Sequence, residues 1–349
     1  MIVIGGGPAG AAAAITLARA GARPLLLERD AVPTEKVCGE FLAEDAIQRL
    51  AALGLDVAAL GEVPIRRAVF AAGRRQVELA LPFAACGLPR AILDAALLDL
   101  ARAEGVETRS GTPVLAAEPS GEGWRLRLRD ASLTARSVLL ATGKHDLRGL
   151  RRSARGGSIG VKLVLHGTPP EAAILLLACR GGYAGLQPRP GGANLCAALD
   201  RDAPGVAAAA RSAAGFMAHV AAGSELAARV LGALQPAWDR PMVVAGVPYG
   251  HVERAGAVFR AGDQVAVIPS FCGDGVAMAL ASGQAAAAAL LRGDAPAAQQ
   301  AAWARRIRSG MGLARLVAGL TARAPGLLLA GIAAAPGAAT WAARRTRLG

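Results

Sequence analysis

The 349-residue sequence predicts an α/β fold: a parallel sheet carrying an inserted β-meander, a second domain built on an antiparallel sheet, and a C-terminal helical tail. Three observations predict it. A strand–glycine turn–helix–strand unit opens the chain. A second glycine-rich turn opens a long helix after residue 275. Between them lie short apolar runs separated by Gly and Pro turns.

Met1 to Ile4 is an apolar, β-branched run that reads as a buried parallel strand. Gly5-Gly6-Gly7-Pro8-Ala9-Gly10 follows, then a helical pattern from Ala11 to Ala20 stopped by Gly21, then a second strand at Pro24–Leu27 ending on Glu28. Gly5, Gly7 and Gly10 in this context form a Rossmann-like dinucleotide fingerprint. Gly5 permits the tight turn, Gly7 lets backbone approach a pyrophosphate at the helix N-terminus, and Gly10 lets helix and strand lie close. Glu28, 18 residues after Gly10, is placed to accept hydrogen bonds from ribose hydroxyls. A carboxylate there disfavours a 2′-phosphate, so the group held is adenosine diphosphate, as part of FAD or NAD.

The second glycine turn favours FAD. Val265 to Ile268 reads as a buried strand preceded by Gly262-Asp263, and Pro269 to Gly275 leads into a helix from Val276 to Leu291. That helix N-terminus can face an electron-rich group such as the reduced isoalloxazine, and Asp263 can hydrogen-bond ribityl hydroxyls. Small residues at Ala277, Ala279, Ala281, Ser282 and Gly283 let the helix pack tightly.

The dinucleotide-binding domain is read as discontinuous, over 1–65, 88–155 and 245–295. Residues 112–134 alternate as the inserted meander, with Arg125, Arg127 and Arg129 on a solvated face. Residues 66–87 and 156–244 form the substrate domain, with strand-like runs at Arg66–Ala71, Arg74–Leu81, Ile159–His166, Ala172–Cys179 and Ala193–Leu199. Residues 204–233 read as Ala-rich helix. The tail, 296–349, reads as packed helices interrupted at Pro325 and Pro336, too broken for a transmembrane span. Arg344, Arg345 and Arg347 leave peripheral contact with an anionic membrane as the alternative.

A net charge of +13 would suit a polyanionic partner, but 36 of the 39 basic residues are scattered arginines and no basic run with interleaved aromatics occurs. No nucleic-acid partner is therefore expected. Five scattered cysteines, with no CxxC pair and no zinc spacing to the four histidines, suit a reducing compartment and no metal. The N-terminus does not read as a signal peptide, so a cytoplasmic location is expected, peripheral to the membrane if the tail touches it.

Separated motifs in order then carry a resemblance. They are Gly5 to Gly10 with Glu28-Arg29, Lys36-Val37-Cys38-Gly39-Glu40-Phe41, Arg90-Ala91-Ile92-Leu93-Asp94, Ala141-Thr142-Gly143, and Gly262-Asp263 with Gly273-Asp274-Gly275. Over residues 1–295 the chain resembles the flavoprotein superfamily that includes geranylgeranyl reductases, aromatic hydroxylases and flavin-dependent halogenases. The resemblance implies an FAD-binding domain with non-covalent FAD. It extends cofactor contact to Pro8, Ala9, Arg29, Cys38, Gly39, Arg90, Pro269, Gly273, Gly275 and Val276, with the backbone of Val114 meeting the adenine.

Within that superfamily, the halogenase Trp-x-Trp-x-Ile-Pro motif and lysine relay do not occur here. Cys38-Gly39 and the helix start at Gly275 look like the reductase branch. The reductase gate Tyr-x-Trp-x-Phe-Pro reads here as Tyr183-Ala184-Gly185-Leu186-Gln187-Pro188, with Gly185 and Gln187 replacing two large apolar residues. Cys38, Glu40 and Tyr183 are the candidate catalytic residues. The expectation is alkene reduction on a hydrophobic small molecule, isoprenoid or polyketide-like, with NAD(P)H as electron donor. The alternatives are an NAD(P)H-dependent flavin monooxygenase and a non-catalytic flavin- or lipid-binding protein.

Overall fold

The structure, a computed structural model, describes residues 1–153 and 156–345, apart from the side chain of Cys272. Arg347 and the boundary residues 154–155 lie outside the described residues.

Five short strands form a parallel sheet in the order Phe259–Arg260, Val138–Leu140, Ile2–Ile4, Leu25–Leu27, Glu107–Arg109. Ile2, Val3 and Ile4 are all buried because helices cover the Val3 face while the meander strands, through Ala117 and Leu126, cover the Ile2 and Ile4 face, which is why the strand reads as a continuous apolar run. Pro8–Arg19 and Gly275–Leu291 cover the sheet together, and Arg90–Ala103 packs beside the first of them. Ala11, Ala12, Ala13 and Ala14 are fully buried in this seam. The meander is present as Ala116–Ser120, Gly123–Arg127 and Ser132–Ala135, with Arg125, Arg127 and Arg129 exposed.

One expected strand is corrected. Val265 to Ile268 is not in the sheet; the fifth strand lies upstream at Phe259–Arg260, and a 3-10 turn, Gly262–Gln264, separates the two. Val265 and Val267 instead satisfy their backbone against residues 250–253, through Glu253 N to Val265 O and Val267 N to His251 O. A buried apolar run has the same composition in either setting, so periodicity alone does not distinguish them.

A nine-stranded sheet forms the second layer. Its path runs Gln235–Pro236, Ser158–His166, Gly192–Asp200, Gly182–Arg189, Ala173–Cys179, Val63–Ala72, Arg75–Gly87, Phe41–Ala43, and Met242–Val247 pairs with Ser158–His166 off that path. It is antiparallel except where Ala173–Cys179 runs parallel to Val63–Ala72. Gly182–Arg189, which carries the motif from Tyr183 to Pro188, is a central strand.

The period of two along these strands separates two environments. Leu163, Leu175, Leu177, Leu186 and Leu195 pack on one face against Phe216, Val220 and Leu231 of the helices Ala213–Ala221 and Glu225–Leu231. The intervening residues, among them Lys162, Ile174, Leu176, Tyr183, Gln187, Asn194 and Cys196, point to the other face.

The tail forms four helices, Pro296–Arg306, Arg308–Arg323, Pro325–Ala334 and Pro336–Arg345, broken at Pro325 and Pro336 as the sequence suggests and also at Ile307. Pro325–Ala334 and Pro336–Arg345 lie against the strands Val63–Ala72 and Arg75–Gly87. Among the described residues no single helix is long and apolar enough to cross a membrane.

The seam between the first helix and Gly275–Leu291 is testable. A Cβ at Gly283 would stand 2.1 Å from the carbonyl oxygen of Ala9. Gly283→Ala is expected to destabilise the protein by roughly 1–3 kcal/mol. Gly312→Ala, on an exposed helix face where a Cβ meets nothing within 4 Å, should stabilise it by about 1 kcal/mol. Denaturant unfolding of both variants reads the two signs.

Candidate functional site

The two glycine turns open onto one cavity of about 630 Å³. Gly5 has φ of 107°, and a Cβ there would lie 2.4 Å from the carbonyl oxygen of Ala141. A Cβ at Gly10 would lie 1.8 Å from the Gly5 oxygen. These two glycines are demanded by close approach of backbone to backbone. Gly7 is different: the nearest atom to its missing Cβ is a guanidinium nitrogen of Arg90 at 3.4 Å, on the cavity side. No side chain caps the helix that follows, and Pro8 occupies its first turn. The helix Gly275–Leu291 likewise has no side-chain cap. Two sets of free N–H donors thus face the same space.

Of the residues expected to hold the cofactor, Gly5, Gly7, Pro8, Ala9, Glu28, Arg29, Cys38, Gly39, Arg90, Val114, Gly262, Asp263, Gly273, Gly275 and Val276 line this cavity. Gly10 sits beneath the turn. Pro269 is buried off the cavity, at the start of the 3-10 turn Ser270–Cys272. Glu28 accepts from Gly6 N at 2.6 Å and from Asp30 N at 3.0 Å, which ties the acid to the glycine turn. Arg90 makes a two-pronged pair with Asp94, both contacts 2.9 Å. Asp263 pairs with Lys144 at 3.2 Å, and that carboxylate raises the Lys144 ammonium above its ordinary value.

The candidate catalytic residues all border the cavity but stand in different settings. Cys38 is half-buried. Tyr183 hydrogen-bonds Ser270 through its hydroxyl at 2.6 Å and meets the Phe271 ring edge-on at 5.3 Å. Glu40 is 1% exposed, with φ of 62°. Its main partner is the fully buried Lys162, at 2.5 Å.

Lys162 also holds Glu35 at 2.6 Å, while Arg189 reaches Glu35 at 2.7 Å and Glu40 at 3.4 Å. Glu40 accepts from the backbone N of Arg90 at 3.1 Å. Asn194 donates to the carbonyls of Cys38 and Gly39 at 3.0 and 2.8 Å. This network clamps residues 38–40 against the sheet, with Glu40 in a left-handed conformation that a non-glycine residue adopts only under such restraint.

Burial raises the Glu40 carboxyl, against the pull of Lys162 and Arg189. Burial works the same way on Glu35, but there the hydrogen bonds from Arg189 and Lys162 win and hold it at about 2. Next to the network, Gln187 is 2% exposed, and neither atom of its amide has a partner. An amide left with donor and acceptor open on a ligand-sized cavity suits a ligand with both functions on one edge, as the pyrimidine ring of a flavin has. The donor sets, the glycine cradle and this amide together fit FAD.

Sequence reasoning missed this network, and it missed Tyr249. Burial pushes the Tyr249 phenol up to about 12, against the pull of the Lys144 ammonium. A signal was present. The chain uses only three lysines and two tyrosines against 36 arginines, and Lys36, Lys144, Tyr183 and Tyr249 line the cavity while Lys162 holds its floor. The tail was missed as well: Val317, Leu328, Ile332, Ala339, Ala342 and Ala343 form part of the wall.

Two outcomes follow. Lys162→Met leaves the buried Glu40 carboxylate without its main cation and Glu35 with Arg189 alone, and should cost about 3–5 kcal/mol in denaturant unfolding. Glu35, depressed to about 2 from 4.5, contributes stability that is complete above pH 4.5 and is lost as pH falls toward 2. Below pH 4.5 the wild type should therefore lose more stability than Glu35→Gln. Parallel stability curves for the two proteins would refute that contribution.

Residues 1–141 match the family model described as FAD binding domain. No curated protein matches the chain. Among solved structures, CmlS, a flavin-dependent halogenase, is similar with a TM-score of 0.75 and 23% identity, over 90% of this chain and 63% of that one. This chain thus spans less than two thirds of that halogenase. The myxobacterial chondrochloren halogenase CndH aligns with a TM-score of 0.77 and 22% identity, over 91% of this chain and 81% of that one. A geranylgeranyl bacteriochlorophyll reductase-like protein from Thermoplasma acidophilum aligns with a TM-score of 0.69 and 18% identity, over 94% of this chain and 87% of that one. Identities this low establish the fold and leave the reaction to the site. Residues 1–141 thus carry an FAD-binding domain, and the chain as a whole shares the fold of these flavoproteins.

Proposed function

We propose that the protein reduces a carbon–carbon double bond of an apolar, isoprenoid- or polyketide-like molecule, with NAD(P)H as the electron donor. The observation that carries this reading is the composition of the cavity beyond the glycine turns. Its wall there is Ala68, Phe70, Leu79, Leu81, Phe83, Ile174 and Leu176 from the sheet, joined by Val317, Leu328 and Ile332 from the tail, with no charged side chain. Such a chamber takes a hydrophobic molecule and keeps water from the reacting end.

FAD, when bound, supplies the hydride. The chain's own task is to seat the substrate and deliver one proton. Cys38 and the pair Tyr183–Ser270 are protic groups that line the same cavity. Gly185, where the reductase gate carries a large apolar residue, leaves the chamber wider, which supports a substrate bulkier than a linear polyprenyl chain. Halogenation has less support: each of the three lysines is held in an ion pair, Lys36 with Asp30, Lys144 with Asp263 and Lys162 with Glu35 and Glu40.

The test uses FAD-loaded protein with NADPH or NADH and an apolar alkene under nitrogen. Reduction without oxygen, giving a product heavier by two hydrogens, supports the proposal. Turnover that requires oxygen and inserts a hydroxyl would replace it with the monooxygenase reading. Failure of nicotinamide to bleach the bound flavin, with any substrate present, would leave a non-catalytic flavoprotein. Cys38→Ser and Tyr183→Phe should each retain bound FAD, and the one that removes the proton donor should lower kcat by about 10²–10⁴-fold.

A further inference from the structure

The tail helices have two apolar sides. Val317, Leu328, Ile332 and Ala342 line the cavity. Their chain neighbours point outward: Leu316 is 60% exposed, Leu327 73% and Trp341 62%. One layer of helix therefore separates the apolar chamber from the outside, and both of its surfaces are hydrophobic.

The outer surface is also strongly cationic. After Asp294 the chain carries eight arginines and no Asp or Glu. On the helix Arg308–Arg323, a rotation of 100° per residue brings Arg308, Arg323, Leu316 and Leu320 within an arc of about 120°, and all four are exposed, while the neighbouring Arg315 donates to the carbonyl of Gly250. Met311, Ala314 and Thr321 are buried on the opposite side. The exposed apolar surface continues through Leu327, Ala333, Ala334 and Pro336 to Trp341, with Arg344 and Arg345 beyond. Leucine and tryptophan interleaved with arginine, with no acid to repel phosphate, is the pattern of a face that lies in the headgroup region of a bilayer. No helix here spans one.

We propose that the outer face of the helices from Arg308 to Arg345 docks on an anionic lipid bilayer. The arginines pair with headgroup phosphates, and Leu316, Leu320, Leu327 and Trp341 enter the acyl boundary. The docking stands on this surface alone. Only its consequence, that the substrate passes from the bilayer between these helices into the chamber, rests on the apolar-substrate reading above.

The experiment is co-sedimentation of the FAD-loaded full chain with vesicles of phosphatidylcholine, with and without phosphatidylglycerol. Binding is expected to the mixed vesicles at low salt and to weaken as salt screens the arginines. A blue shift of tryptophan emission should accompany binding and vanish in Trp341→Phe, since Trp303 is buried and only Trp341 among the four tryptophans is highly exposed. The double variant Leu316→Ser with Leu327→Ser, outside the cavity lining, should keep its flavin absorbance and lose vesicle binding at least about tenfold. Wild-type protein left in the supernatant with both vesicle types would overturn the proposal. So would binding that the double variant retains and duplex DNA competes away, which would mark a general polycation. Loss of catalysis on apolar alkenes with vesicle binding intact would count against the substrate reading and leave the docking in place.

Discussion

The structure depends on one close contact. The backbone of Ala9, in the first turn of the helix Pro8–Arg19, lies against Gly283 of the helix Gly275–Leu291, where no Cβ could fit. Because both helices are lined with Ala and Gly, they meet along their length, and their N-terminal ends are brought to one cavity from opposite ends of the chain. Neither end could bind a long dinucleotide by itself. Held together, they offer one set of free N–H groups to a pyrophosphate and another to the far end of the same molecule.

The nine-stranded sheet supplies what the parallel sheet lacks, a floor for chemistry. Its alternation sends leucines to one side, where helices bury them, and sends Lys162, Tyr183, Gln187, Asn194 and Cys196 to the other. A lysine deep in a protein is costly unless paired, and here it is compensated by two carboxylates from the 35–40 segment. That exchange does structural work beyond charge balance. It fixes the conformation of Cys38-Gly39-Glu40, the segment that carries one candidate proton donor to the cavity, through Glu40, Asn194 and the backbone of Arg90. The uncharged end of the cavity lies farther along the same sheet and is closed by the tail helices, so polar and apolar functions are separated along one surface.

Gly5 to Gly10, Glu28, the meander at 112–134, and the helix after Gly275 were legible because each is a local pattern: a turn that only glycine allows, a period of two, a period of 3.6. Val265 to Ile268 misled because a buried apolar run looks the same in a sheet and in a paired loop. Tyr183 was singled out, but its place in a central strand was hidden by Gly182, Gly185 and Pro188, which read as turn residues. The role of the tail in walling the cavity had no sequence signature, since alanine and leucine describe a packed helix equally well wherever it packs.

The sequence by itself determined the dinucleotide turn, the kind of cofactor it suits and the order of helices and strands, because these follow from steric rules acting over a few neighbouring residues. Only the tertiary structure decided that Lys162 meets Glu35 and Glu40, that Tyr183 hydrogen-bonds Ser270, and that residues beyond 308 form both the wall of the chamber and a cationic outer face. The physical reason is range. Backbone sterics and hydrophobic periodicity are written in adjacent residues, whereas pairing of buried charges and closure of a cavity join groups more than a hundred positions apart, such as Glu35 and Lys162, and exist only once the chain has folded.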